Sequence, residues 1–134
     1  MIEVVAAVIE LNKKLLAFKR GASKYEYVSY KYEFPGGKVE SNENHKEALS
    51  RELSEELGLN AKVGQFVATI EHTYPDFSIK MHCYLVHLNT FDGELKEHVD
   101  FSHVTLQEAQ SLDWIEADKP ILEMIRQRYS HVFS

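Results

Sequence analysis

The chain has 134 residues, of which 44% are hydrophobic and 27% charged, with a formal net charge of -6. That length supports one well-formed core and is too short for two ordinary domains, so a single domain over 1–134 is expected. A non-specific nucleic-acid binder would need clustered Lys and Arg to release counterions, which the acidic balance opposes, whereas a small phosphorylated ligand held by a cation and a few local basic groups remains compatible.

The opening MIEVVAAVIELNKK carries an early acid and only a short apolar stretch, which suits neither a signal peptide nor a membrane span. A reducing cytosol is the expected compartment, and the lone Cys83, inside the apolar run MHCYLVHL, reads as a small core residue. Residues 2–10 predict a strand, and Leu15 to Arg20 a second one after the polar turn Asn12-Lys13-Lys14. Tyr25, Tyr27, Tyr30 and Tyr32 follow, either as a half-exposed strand or as an aromatic wall over a ligand. Tyr32 to Phe34 suggest a short strand running into Pro35-Gly36-Gly37.

A helix is expected next. Asn44 and Glu47 have the spacing of a capping box, Gly58 is a plausible left-handed stop, and the thirteen residues between hold no Pro or Gly. At 100° per residue Glu52, Glu55 and Glu56 share a sector of about 100°, beside an apolar stripe of Leu49, Leu53 and Leu57. Like charges three and four positions apart destabilise a helix by about 0.2–0.5 kcal/mol per pair, so such a ridge calls for a cation. A glutamate-rich helix is ordinarily a solvated face, but oxygen-only ligands at this density suit Mg2+ or Mn2+. Arg51 should project away from the ridge and hold Glu43 or Glu47, which makes Arg51 and Glu43 scaffold.

Beyond the helix, a long strand is expected from about Ala61 to Thr73, a turn at Pro75-Asp76, and a partner strand from about Ser78 to Leu88. A short strand near Val99 to Val104, a brief helix over Leu106 to Leu112 and a final helix from about Lys119 to Tyr129 complete the chain. Strands and helices do not alternate in a βαβ rhythm, so the expected fold class is α/β with a mixed sheet between helices, an α-β-α sandwich. None of the seven histidines shows zinc spacing with a cysteine, and only His98, beside Glu97, stands next to a candidate site residue.

Gly37, Glu43, Arg51, Glu52, Leu53, Glu55, Glu56, Gly58 and Leu59 fit the pattern G-x5-E-x7-R-E-U-x-E-E-x-G-U, where U is a bulky apolar residue. A chance match in a chain this long is on the order of one in ten million. This is the Nudix box, and from Met1 to about Met124 the chain resembles the MutT branch of the Nudix hydrolases through VVAAVIE, EFPGGKVE and TYPDFSIKMHCYLV. In IEVVAAVIE, GGKVE and EADKPILE it is also similar to the CTP pyrophosphohydrolase relatives of MutT.

The resemblance implies the Nudix fold and Mg2+-dependent hydrolysis of a nucleoside triphosphate to monophosphate and pyrophosphate, with Mn2+ as a possible substitute. It implies that Glu52, Glu55, Glu56 and the Gly37 carbonyl are metal ligands and that Glu97 is the distal glutamate. Glu97 or a box glutamate, Glu52 or Glu55, would activate water; the residues leave that choice open. Arg20 takes the place of a phosphate-binding arginine, with Lys38 a second cation, while Phe34 and Asp76 match positions around the nucleobase. Phe77 stands where MutT carries an arginine, and Asp118 where it carries the asparagine that reads oxidised guanine.

An ionised Asp only accepts hydrogen bonds, which suits the exocyclic amine of cytosine or the N1 and N2 hydrogens of guanine. Asp118 also has the position of a cap on the last helix, ahead of Pro120. The resemblance to MutT makes removal of 8-oxo-dGTP or another modified nucleotide the leading expected role, a step in mutation avoidance and DNA repair. Hydrolysis of CTP, dCTP or 5-modified cytosine nucleotides, of an ADP-ribose-type nucleotide sugar, and non-catalytic nucleotide binding are the alternatives. The expected partner is a small nucleotide, with no stable nucleic-acid complex and no membrane, and both monomer and homodimer are open.

Overall fold

The computed structural model describes residues 1–134. Strands β1 (Ile2–Leu11) and β2 (Lys14–Arg20) form a hairpin closed by Asn12 and Lys13, whose φ angles of 52° and 64° make the left-handed pair that matches strand twist. The Lys13 amide is held by the Glu10 carboxylate at 2.8 Å, which offsets part of the cost of a side chain in that region. Two further strands come before the first helix, β3 (Tyr32–Glu33) and β4 (Gly36–Lys38). Helix α1 spans His45–Leu57, and β5 (Phe66–Thr73), β6 (Ser78–Leu88) and β7 (His98–Val104) follow. Helices α2 (Leu106–Ala109) and α3 (Lys119–Arg128) end the fold, with short 3-10 turns at Glu116–Asp118 and Ser130–Phe133.

Strand β1 organises the sheet. It runs parallel to β6 from Ile2 opposite Ile79 to Leu11 opposite Leu88, and its other edge is divided between β4, opposite Val4 to Ala6, and β2, opposite Ile9 to Leu11. Strand β5 pairs antiparallel with β6, and both β3 and β7 pair antiparallel with β2, giving seven strands in a mixed sheet. Both faces are covered. Leu49, Leu53 and Leu57 of α1 pack on Val5, Ala7 and Ile9 on one side, while Ile121 and Ile125 of α3 join Val8, Leu15 and Trp114 on the other. Double coverage explains why β1 reads as an apolar run from Val4 to Ile9 rather than an alternation.

The α-β-α sandwich is therefore observed, with local corrections. The expected strand from Ala61 begins only at Phe66, and a bulge between Phe66 and Ala68 interrupts its ladder with β6. Residues before it still follow β6, with the Gly64 amide donating to Leu85 O at 2.7 Å. The helix expected to reach Leu112 ends at Ala109, whose carbonyl accepts from Trp114 Nε1 at 2.8 Å. Tyr25, Tyr27 and Tyr30 lie in turns, not in a strand. Strand β4 was not expected, since Pro-Gly-Gly reads locally as a turn and becomes a strand only against β1. Cys83 is buried, and no helix is long and apolar enough to cross a membrane.

Candidate active site

Helix α1 carries the glutamates, and both of its ends are fixed by the residues that predicted them. The Asn44 side chain accepts from the Glu47 amide at 2.8 Å, the Glu47 carboxylate accepts from the Asn44 amide at 2.9 Å, and Gly58 ends the helix at φ 64°. Because the Leu stripe must face the sheet, Glu56 is carried partly underneath the helix and is buried, Glu52 is half-buried, and Glu55 is exposed. Gly37 passes directly above Glu52; a Cβ there would collide with the Glu52 carboxylate, so only glycine lets β4 approach.

Arg51 holds this region together. Its Nε and Nη2 clasp the two Glu43 oxygens at 2.7 and 2.9 Å, Nη2 also donates to Lys38 O at 2.9 Å, and Nη1 reaches Glu52 at 2.9 Å and Glu55 at 3.2 Å. Two expectations change here. Arg51 does not project away from the ridge but lies along it, and Glu47 is committed to the helix cap. The Arg51 guanidinium holds the Glu43 carboxyl below the usual carboxylate range. Glu52 is pushed up by burial, against the pull of Arg51.

The loop between β6 and β7 returns Glu97 to this place. The Lys96 amide donates to Glu56 O at 3.1 Å and the Glu94 amide to Leu57 O at 2.8 Å, so the loop is tied to the orphan carbonyls at the end of α1. Glu97 and Glu56 then line one polar cavity of about 170 Å³ with Arg20, Glu33 and His98. Glu33 accepts from Arg20 Nη1 at 2.8 Å and is hydrogen-bonded to His98 Nε2 at 2.8 Å. Burial, together with the charges of Glu33, Glu52 and Glu97, pushes the Glu56 carboxyl up to about 9. Burial disfavours the Arg20 charge, but Glu33 outweighs it and holds the guanidinium above its ordinary range.

Arg20 also borders a second, mostly apolar cavity of about 290 Å³ lined by Tyr25, Phe34, Tyr74, Phe77, Met81 and Asp118, among others. Tyr25 packs against Tyr27 and Phe77, and Tyr27 stacks on Tyr74 at 5.2 Å, so the tyrosine segment forms an aromatic wall. Asp118 is 1% exposed; its Oδ2 accepts from the Phe34 amide at 2.8 Å. It makes no side-chain cap on α3, so the capping alternative for Asp118 does not hold. Burial and the nearby Glu33 charge push its carboxyl well above the usual range.

Four buried side-chain polar atoms have no hydrogen-bond partner: Arg20 Nε, Glu56 Oε2, His98 Nδ1 and Asp118 Oδ1. All four residues line one or both of the joined cavities. Leaving such groups unpaired costs about 1–3 kcal/mol each, more for charged ones, so their concentration at one place marks where a ligand and cations would be received. Glu33, Glu56 and His98 each bring one ligand atom to within 4.8 Å of the others, a buried group that could hold a metal ion, which would satisfy Glu56 Oε2.

The remaining sequence-derived residues fall around these cavities. Phe34 and Phe77 line the apolar one, as does Gly37. Asp76 is outside the lining and accepts from Tyr27 OH at 2.7 Å, bracing the aromatic wall. Lys38 is exposed on β4 and lines neither cavity. Glu33 was missed by sequence reasoning, because a Glu between two aromatics in a short strand carries no local signal. Its pairing with Arg20 depends on β3 lying beside β2.

The NUDIX domain family matches residues 1–132. The CTP pyrophosphohydrolase of Escherichia coli strain K12 is 39% identical over 92% of this chain and 90% of its own length. The 8-oxo-dGTP diphosphatase of the same strain is 28% identical over 86% of this chain and 88% of its own. The solution structure of the E. coli ORF135 protein superimposes with a TM-score of 0.82 at 36% identity, covering 98% of this chain and 92% of that one. The chain therefore belongs to the NUDIX domain family, and it is a hydrolase of nucleotide phosphoanhydride bonds.

Proposed function

We propose that this NUDIX hydrolase is a Mg2+-dependent nucleoside triphosphate pyrophosphohydrolase whose apolar cavity receives a cytosine base. The observation that carries the reading is the unpartnered Asp118 Oδ1 in the wall of an aromatic cavity that Arg20 joins to the acidic one. With Oδ2 engaged by the Phe34 amide, Oδ1 is the oxygen left for a base edge. Cytosine offers it an amine donor at N4 and an acceptor at N3, so the contact can be made whether the carboxyl is ionised or protonated. The 39% identity to a CTP pyrophosphohydrolase over nearly the whole of both chains supports the same choice.

In this reading the base stacks among Tyr25, Phe34 and Phe77, and Arg20 bridges base and phosphates with its free Nε toward the substrate. Water adds to an inner phosphorus, the bond to the leaving pyrophosphate breaks, and nucleoside monophosphate is released. Divalent cations held by Glu52, Glu55, Glu56, Glu97 and the Gly37 carbonyl would neutralise the leaving pyrophosphate and lower the pKa of water. In this reading Glu97, on a loop tied to α1, or a box glutamate takes the proton of the attacking water.

A second reading, hydrolysis of 8-oxo-dGTP, draws on the burial that raises Asp118: a protonated Oδ1 would donate to a purine carbonyl. Measuring kcat/KM with Mg2+ for CTP, dCTP, 5-methyl-dCTP, dGTP, 8-oxo-dGTP and ADP-ribose separates the two. Preference for cytosine nucleotides by tenfold or more supports the first reading, and preference for 8-oxo-dGTP replaces it with the second. Turnover of ADP-ribose alone would refute both.

A further inference from the structure

A second constellation lies away from the cavities, where α1 begins. His45 is the first residue of α1, His82 lies in β6 and Glu3 in β1, and one ligand atom from each lies within 4.8 Å of the others. The His45 and His82 rings are nearly parallel, with centroids 3.9 Å apart and planes 20° apart. His82 Nε2 is 2.9 Å from Glu3 Oε1. We infer that Glu3, His45 and His82 form a binding site for a zinc-type transition-metal cation, distinct from the glutamates of α1.

The hydrogen bonds on the other ring nitrogens argue for this. His82 Nδ1 is bonded to Thr69 Oγ1 at 2.8 Å and His45 Nδ1 to Tyr84 OH at 3.3 Å. Both imidazoles are thus anchored through Nδ1, which sets their orientation, and binding a cation would displace the proton that His82 Nε2 shares with the Glu3 carboxylate. Two imidazole nitrogens and one carboxylate oxygen are a donor set for zinc and its neighbours, whereas Mg2+ takes oxygen. Ligand atoms around a tetrahedral zinc ion stand about 3.3 Å apart, and the ion lies near the plane of each ligating ring. Closing the triad therefore requires movement of the exposed Glu3 side chain and rotation of the His45 ring out of its stack on His82. Glu3 and His45 also border an open groove of about 450 Å³ with Asn44 and Tyr84.

The site is separate from the carboxylates of the active site. Glu52 to Glu56 lie seven to eleven residues beyond His45, about 10–16 Å along the helix axis. A cation here would join β1, β6 and the first turn of α1, and so stiffen the end of the helix from which the Arg51 and Glu43 clasp is built.

The test is Zn2+ titration of the full chain, with histidine rings followed by nitrogen-15 NMR and melting temperature measured in parallel. The expected result is that His45 and His82 both shift at Nε2 with one equivalent and that the melting temperature rises. His45→Ala, which keeps the Asn44 and Glu47 capping box, and Glu3→Gln should each weaken Zn2+ by at least about tenfold, while Glu56→Gln should bind it as the parent does. No shift of these two rings at millimolar Zn2+, a shift confined to His98, or undiminished affinity in His45→Ala would overturn the inference.

Discussion

Replacing Glu56 by Gln should abolish most of a downward slope in stability between pH 5 and pH 8 in protein stripped of divalent cations. Glu56 is buried among Glu33, Glu52 and Glu97, and its carboxyl is pushed up to about 9 in the folded state, against 4.5 for a free side chain. The unfolded chain therefore releases this proton near pH 4.5 while the folded chain retains it, so stability is full below that pH and is lost as pH rises toward 9. In that window the slope approaches about 1.4 kcal/mol per pH unit, or about 2.5 kcal/mol between pH 5 and pH 7. For a domain of this size that is a fall in melting temperature of about 8 °C. Asp118 contributes with the same sign, and Glu43, held low by Arg51, loses its contribution only as pH falls below this window, so the difference between parent and Glu56→Gln profiles isolates Glu56. Urea unfolding at several pH values measures it, and parallel profiles for the two proteins would refute the idea that Glu56 is strained by its buried neighbours. Saturating Mg2+ should flatten the parent profile and leave the variant nearly unmoved.

Three further substitutions separate chemistry from scaffold. Glu55→Gln removes an exposed carboxylate whose only hydrogen bond is to Arg51; melting temperature should move by about 1 °C or less, while kcat falls at least about 100-fold, and near-normal turnover would sink the metal-site assignment. Asp118→Asn keeps the acceptor for the Phe34 amide but offers the base both donor and acceptor; competition assays should show preference moving from cytosine nucleotides toward 8-oxo-dGTP, and an unchanged ratio would exclude Asp118 from base reading. Gly37→Ala drives a Cβ into the Glu52 carboxylate; thermal unfolding should show a loss of about 1–3 kcal/mol and calorimetry a weaker affinity for Mg2+, and a variant matching the parent in both would show that the close approach of β4 is dispensable.

What the sequence discloses depends on the range over which a residue's role is decided. Helix α1 was legible to the residue because Asn44, Glu47 and Gly58 act within their own turn, and the buried face because Leu49, Leu53 and Leu57 recur at helical period. The cap position of Asp118 was legible too, but not its choice of partner: the side chain turns to the Phe34 amide across 84 positions rather than to its own helix. Arg51 was placed on the wrong side of the glutamate ridge, because helical angles fix where a side chain starts and not how far a long guanidinium reaches. Strand β4, Glu33 and the Glu3, His45 and His82 triad were illegible for one reason. Each acquires its partners only when distant strands are brought side by side, and nothing in the adjoining residues reports that.

The same distinction bears on why the fold tolerates its active site. Four buried polar atoms without partners, and a carboxylate displaced to about 9, are local violations that a packed domain would ordinarily eliminate. Here they adjoin the parts of the molecule that packing determines most strongly: the Leu stripe of α1 drives Glu56 inward, and the two-faced burial of β1 fixes the strands on which Arg20 and Glu33 meet. Arg51 meanwhile binds three of the glutamates it crosses, so the ridge is held in place without its repulsion being cancelled at Glu56. The acidic cavity is thus arranged before any ligand arrives, and a cation received by Glu56 would take the place of its proton. The pH profile of the stripped protein and the cation affinity are then linked through Glu56, and Glu56→Gln should flatten the first and weaken the second.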